Sequence, residues 1–197
     1  MGMTMPRGKA AVAAFLILAG TAWSTALGQR SADGANSIAL QREAMTRLAM
    51  MDGVWKGPAW TILPSGERRD VVQTQRIGPF LHGSVKVAGV NATDVGGGTG
   101  FQASGIVSYD PTRSVFMLHS FTIGYPGDFP LTPNADGYSW EVPMGSAKVR
   151  FTAVIKNGRW SEVGDRIVEG KETVRVFEMD LKRVGDANWP AEGCPPN

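Results

Sequence analysis

Acidic and basic side chains on the predicted strands are the first candidates for chemistry in this sequence. Glu141 or Glu162, together with Arg166 or Arg175, would place a carboxyl group beside a cation if the strands brought them together. Arg175 has the same strand parity as Phe177, which predicts an inward guanidinium group that could hold a carboxylate ligand. The alternative is a charge at the rim of the sheet, paired and exposed, because charged residues are seldom buried.

His119 is the second candidate. It shares a strand face with Val115, Met117 and Phe121, and if that face points inward it could ligate haem iron from one side. If the face points outward, His119 is an ordinary surface residue. Two histidines without cysteine or carboxylate at ligand spacing predict no zinc site, and the sequence has no Gly-x-Ser-x-Gly elbow. We therefore predict no catalytic residue, metal or cofactor, and keep two alternatives: an enzyme using Glu and Arg side chains, and a haem protein using His119.

The elements that would position these residues are short strands. A helix capped by Asn36 or Ser37 is predicted to run to about Met51, and alternating segments follow it at roughly ten- to fifteen-residue intervals. Turn signals separate these segments, such as Asn-Gly at Asn157. Residues 124–133 carry three prolines and are predicted as a long loop or an edge strand. Residues 37–184 are thus predicted to form one all-β domain, an antiparallel up-and-down barrel of about ten strands.

The N-terminal residues have the three-part layout of a signal peptide. Arg7 and Lys9 precede an apolar run at residues 10–20, which is followed by a small-residue site at residues 26–28. The run is shorter than the roughly 20 residues that span a membrane. We predict cleavage of residues 1–28, a flexible leader at 29–36, a disordered tail at 185–197, and export to the periplasm or medium without a stable membrane span. Cleavage brings the formal charge from +2 to zero, which argues against nucleic acid as a partner.

A barrel of this kind can enclose a cavity for a small apolar or amphipathic ligand. The residues predicted to line it are large aromatic side chains and the charged side chains discussed above. They are Trp55, Trp60, Trp140, Phe151, Trp160, Glu162, Arg166 and Arg175. The competing role for the tryptophans is to fill the core, since aromatic side chains supply much of the apolar surface that a small domain buries.

Several short motifs support a resemblance at the family level. They are Leu48 with residues 53–57, and residues 78–83, 105–111, 137–141, 160–164 and 177–183. In this order they resemble a bacterial family of uncharacterised exported proteins described as lipocalin-like or fatty-acid-binding-like β-barrels. The resemblance covers about residues 40–185 and implies a roughly ten-stranded barrel with an inner cavity and no assigned activity.

The same motifs are distantly similar to haem-binding barrels of the nitrobindin type. Those barrels open with Gly-x-Trp-x-Gly-x-Gly and ligate haem through a histidine near the C-terminal end. Here residues 53–57 keep part of that opening, Pro58 and Ala59 depart from it, and no histidine follows His119. The resemblance therefore does not predict haem ligation by that route.

Overall fold

The computed structural model describes residues 33–122 and 124–187 of the chain. The predicted signal peptide and most of the predicted tail lie outside the described residues. An α-helix, α1, covers residues 33–46, so it begins inside the segment predicted as a leader. A 3₁₀ turn at Ala49–Met51 then leads into the first strand. Among the described residues, helical segments that have the length and apolarity to span a membrane are absent.

Ten strands follow within the described residues, and they form a closed antiparallel barrel. Each strand pairs with its neighbours in sequence, and the first strand pairs with the last. This confirms the predicted all-β, up-and-down barrel. The strands are β1 (Gly53–Ile62), β2 (Arg68–Phe80), β3 (Val85–Asp94), β4 (Thr99–Asp110), β5 (Val115–Thr122), β6 (Tyr125–Pro133), β7 (Gly137–Met144), β8 (Ala147–Lys156), β9 (Arg159–Val168) and β10 (Val174–Gly185).

The predicted Asn-Gly hairpin joins β8 to β9. Asn157 and Gly158 have φ angles of 53° and 70°, and Lys156 pairs directly with Arg159 across the turn. Two consecutive residues with positive φ are the signature of a type I′ turn, whose twist matches that of the flanking strands. The local sequence therefore sets this register.

Strand β6 corresponds to the proline-containing segment that was predicted as a loop or an edge strand. It is one of the strands that form the barrel wall. It pairs with β5 along residues 125–131, but with β7 only at Leu131, Thr132 and Pro133. Pro126 and Pro130 have no amide hydrogen to donate, which disfavours regular pairing on both sides of the strand. The first two thirds of β6 are consequently not paired with β7.

One end of the barrel is filled by side chains. Leu48 and Met51, which follow α1, pack into the same core as Trp55 and Trp160, and all four are buried. The rings of Trp55 and Trp160 meet edge to face with centroids 5.5 Å apart, and the Trp55 indole donates to the Met51 carbonyl oxygen at 2.9 Å. We call this the plugged end. The turns that follow β1, β3, β7 and β9 lie at the opposite, open end.

Candidate ligand cavity

A cavity of about 410 Å³ lies inside the barrel. All ten strands contribute to its wall, and most of the lining side chains are apolar, including Val71, Val107, Leu118, Leu131 and Phe177. The inward faces of the strands supply these residues because successive side chains alternate between the two sides of a sheet. The volume falls within the range of about 300–1,000 Å³ that is usual for small-molecule sites.

Three of the predicted lining residues border the cavity. Trp140 on β7 and Phe151 on β8 pair in register and stack with ring centroids 4.4 Å apart and an interplanar angle of 14°. Glu162 on β9 lies beside them. The alternation of β7 and β8 was sufficient to place Trp140 and Phe151 inward. The two faces of β9 have similar polarity, so the sequence left the orientation of Glu162 open.

The other three tryptophans do not border the cavity, and this part of the prediction is wrong. Trp55 and Trp160 belong to the plugged end, where they fill the core. Trp60 lies on the outer face of β1, because it has the opposite parity to Trp55 and Ala59. There the guanidinium group of Arg68 sits over its ring, 4.4 Å from the centroid.

Neither of the two arginines lines the cavity, and Arg175 does not have the predicted inward guanidinium group. A bulge between Arg175 and Phe177 reverses the parity that the sequence suggests, so Arg175 faces outward. Its Nε donates to Asp165 at 2.5 Å, and Glu178 lies 3.7 Å away. Arg166 is exposed near the open end of β9. Arg175 is therefore an exposed and paired charge, as the alternative interpretation of the sequence predicted.

The two candidate glutamates, Glu141 and Glu162, are not brought together. Glu141 faces outward from β7, where it accepts hydrogen bonds from Lys148 and Arg150 at 2.9 and 2.6 Å. Those two cations lower the pKa of the Glu141 carboxyl group. Glu162 faces the interior, so the two carboxyl groups lie on opposite sides of the barrel wall and cannot share a substrate.

Glu162 is a buried carboxyl group with neutral partners. Its side chain accepts hydrogen bonds from the Tyr138 hydroxyl at 2.9 Å and the Trp140 indole N–H at 3.0 Å, and the residue is 6% exposed. Burial raises the pKa of Glu162, and the hydrogen bonds from Trp140 and Tyr138 offset part of that increase. The carboxyl group therefore holds its proton to a higher pH than an exposed glutamate does.

Gln73 and Gln75 on β2 are functional candidates that the sequence prediction missed. Both are buried and both donate from Nε2 to the Met179 sulfur at 3.2 Å. The Oε1 atom of Gln73 is buried without a hydrogen-bond partner among the described residues. Their inward orientation could have been predicted from the alternation of β2. Gln73 and Gln75 occupy the same strand face as the apolar residues Val71 and Ile77.

These polar groups occupy one side of the cavity. Met179 pairs in register with Glu162 on one side and contacts Gln73 and Gln75 on the other. We refer to Gln73, Gln75, Glu162 and Met179 as the polar patch. Because the remaining wall is mainly apolar, the cavity can hold an amphipathic molecule in one preferred orientation.

Arg69 is the one cation among the described residues that line the cavity. Its Nε and Nη2 each donate to a carboxylate oxygen of Asp94 at 2.6 Å. This two-point ion pair lies at the open end, near the first residues of β2 and the last of β3. The hydrogen bond from Arg69 lowers the pKa of Asp94, so the pair stays ionised at neutral pH.

His119 lies on the outer face of β5 and therefore cannot ligate a haem inside the cavity. Its Nε2 is 2.9 Å from the Ser108 Oγ, and its Nδ1 is 2.7 Å from Asp128 Oδ1. The connection follows the order of a Ser-His-Asp triad, but it lies on an outer wall where β4, β5 and β6 pair through unbroken registers. Amide groups engaged in such ladders are not free to stabilise an oxyanion.

Among the described residues, clusters of three or more histidine, cysteine, aspartate or glutamate side chains able to hold a metal are absent. In comparisons with known proteins, no family model and no curated protein matches the chain.

Proposed function

We propose that this protein is an exported barrel that binds a small apolar or amphipathic molecule without transforming it. The observation that carries the proposal is the internal cavity of about 410 Å³, which has a mainly apolar wall and one polar patch. The signal-peptide layout of residues 1–28 and the resemblance to exported lipocalin-like barrels support the same function.

The energetics of such a site favour apolar ligands. Transfer of apolar surface from water into the cavity contributes about 25 cal/mol per Å². Leu118, Leu131 and Phe177 offer that surface, and the polar patch offers hydrogen bonds on one side of the wall. A ligand with a hydrocarbon body and one polar end would satisfy both parts of the wall.

The open end is the proposed route of entry. The plugged end is closed by Leu48, Trp55 and Trp160, each at most 2% exposed, whereas the open end is covered by turns. The short β6–β7 ladder adds an unpaired stretch of wall that begins at Tyr125, at the same end. Turns and unpaired strand segments open at lower cost than a packed core.

Binding of N-phenyl-1-naphthylamine, a neutral apolar fluorophore, provides a direct test. We expect saturable fluorescence enhancement with the wild-type protein. Ala103→Trp, which fills the cavity from β4, should weaken binding by about tenfold or more, equivalent to about 1.4 kcal/mol. Ile106→Trp is the matched control, because Ile106 lies on the outer face of the same strand and is 39% exposed.

Ser120→Phe, which fills the cavity from β5, is a second blocking variant in case Ala103→Trp fails to fold. Wild-type protein that does not bind the fluorophore would overturn the proposed function. Equal binding by folded Ala103→Trp and Ile106→Trp would also overturn it, because the fluorophore would then bind outside the cavity. Mass spectrometry of lipid extracts from protein purified from its native host would identify the natural ligand.

A further inference from the structure

We infer that the polar end of the ligand is a hydrogen-bond donor, either a hydroxyl or an amine group, and not a carboxylate. This inference rests on the proposed binding function and names the ligand class for the same cavity. It departs from the expectation of a carboxylate ligand, which depended on an inward arginine.

The first support is a buried oxygen atom that can accept a hydrogen bond but receives none. Gln73 is 3% exposed, and its Oε1 has no hydrogen-bond partner among the described residues. Its Nε2 is already directed at the Met179 sulfur, as is that of Gln75. An unmatched buried acceptor is unfavourable, and Gln73 lines the cavity, so a ligand group that reaches Gln73 Oε1 and donates to it recovers part of that penalty. A carboxylate has no hydrogen to donate and cannot do so.

The second support is the chemistry of Glu162. Each of its oxygens accepts one hydrogen bond, from Trp140 and Tyr138, and each carboxyl oxygen has further lone-pair capacity. An ionised Glu162 would attract an ammonium group and repel a carboxylate. A protonated Glu162 would exchange hydrogen bonds with a hydroxyl group. The ionised form thus favours a donor-bearing ligand over a carboxylate, whereas the protonated form can hydrogen-bond to either. The preference against a carboxylate therefore rests on the ionised form of Glu162.

The third support is the lack of an available counter-ion. Arg69, the cation in the described lining, is bound at two points by Asp94. Arg166 and Arg175 are not among the residues that line the cavity, and Arg175 is bound to Asp165. Burying a ligand carboxylate without a nearby cation is unfavourable. If Arg69 bound the ligand instead, Asp94 at the open end would lose its own partner.

Displacement of bound N-phenyl-1-naphthylamine by three ligands with the same ten-carbon chain tests the inference. The ligands are 1-decanol, decylamine and decanoate, compared near neutral pH below their aggregation limits. We expect decanol and decylamine to bind at least about tenfold more tightly than decanoate, a difference of about 1.4 kcal/mol. The common chain keeps the apolar contribution constant, so the difference reports on the polar end.

Two variants connect the preference to the polar patch. Glu162→Gln should weaken decylamine binding by about tenfold and reduce its advantage over decanoate, since it removes the acidic group. Gln73→Leu should weaken decanol binding by about fivefold, because the unmatched acceptor is gone. Glu141→Gln is the control for both, because Glu141 lies on the outer face of β7 and should leave all three affinities unchanged.

Decanoate binding within threefold of decanol, or more tightly, would overturn the inference while leaving the cavity as a binding site. An unchanged ligand preference in folded Glu162→Gln and Gln73→Leu would overturn it as well, because the polar patch would then not be what the ligand recognises. If the fluorophore and all three ligands fail to bind, the proposed function itself fails and the inference falls with it.

Discussion

The hydroxyl group of Tyr138 on β7 donates a hydrogen bond to the carboxyl group of Glu162 on β9, across the intervening strand. Ala153 on β8 pairs in register with both residues and is fully buried. Its methyl side chain leaves the space in which the two larger side chains meet. A small residue at this position therefore organises one side of the polar patch.

Enlarging Ala153 should disturb this contact. We expect Ala153→Val to lower the free energy of unfolding by about 1–3 kcal/mol, the usual cost of overpacking a tight interior. Denaturant unfolding measures the change. Thr152→Val is the control, because Thr152 is exposed on the outer face of the same strand. Equal stability of the two variants would show that the space beside Ala153 is not tightly packed.

The stability of the protein should depend on the protonation of Glu162. Its pKa is raised in the folded state by burial, so the native protein keeps a proton that the unfolded chain releases. The stability that this group contributes is full below the unfolded pKa and declines as the pH rises toward the folded pKa. Glu162→Gln should remove that decline when unfolding is followed from acidic to neutral pH.

Glu141→Gln should change the pH profile in the opposite direction. The pKa of Glu141 is lowered by its hydrogen bonds from Lys148 and Arg150, so its contribution is present above the unfolded pKa and is lost as the pH falls. For Glu162→Gln, a dependence of stability on pH that runs parallel to that of the wild type would contradict the raised pKa of the buried Glu162 carboxyl group.

Trp160 and Trp60 should differ in how much their replacement by alanine destabilises the fold. Trp160 is fully buried and meets the rings of Trp55 and Tyr138 edge to face. Trp160→Ala should destabilise the fold by about 3–5 kcal/mol. Trp60→Ala loses a partly exposed ring and its contact with Arg68, which is worth about 0.5–1 kcal/mol at such sites. Thermal unfolding of the two variants would separate them, and a similar loss in both would contradict the placement of Trp60 outside the core.

Asp52 and Lys86 form an ion pair beside the plugged end. The Lys86 side chain is 4% exposed, and its ammonium group lies 2.6 Å from Asp52 Oδ1. Asp52→Ala would leave the buried cation without its partner and should cost about 3 kcal/mol or more, whereas Lys86→Met should cost much less. The urea midpoints of the two variants measure the difference. Equal midpoints would indicate that Lys86 reaches water once Asp52 is removed.

The Ser108–His119–Asp128 arrangement predicts an unreactive serine. Asp128 is 69% exposed and the outer wall offers no free amide group for an oxyanion in the paired strands. A fluorophosphonate probe should therefore label wild-type protein no faster than Ser108→Ala. Labelling that disappears in both Ser108→Ala and His119→Ala would identify a hydrolytic site and contradict a purely binding function.

Much of the fold could be predicted from local patterns, because the alternation of apolar and polar residues along a strand shows which of its two faces is buried. Trp140 and Phe151 could be placed inward from their neighbours alone, and the Asn157–Gly158 turn set the register of β8 and β9. β6 was harder to predict, because its prolines indicate poor pairing without showing on which side of the strand the pairing is lost.

The site was less predictable because it depends on relations between strands. A bulge of one residue is sufficient to turn Arg175 outward, and nothing in its own strand signals the bulge. Trp55 and Trp160 do face inward, but which end of the barrel is filled depends on where the segment after α1 packs. Gln73 was overlooked because a glutamine on a strand usually faces water, and its burial follows from closure of the barrel.

Closure of the barrel through β1 and β10 has a consequence for biogenesis. Val54 and Gly185 are partners at this seam, so the first strand has no neighbour on one side until the final strand has been made. Until then, two unpaired strand edges would be available to other chains. Truncation within β10 should therefore leave the edge of β1 exposed and produce insoluble protein.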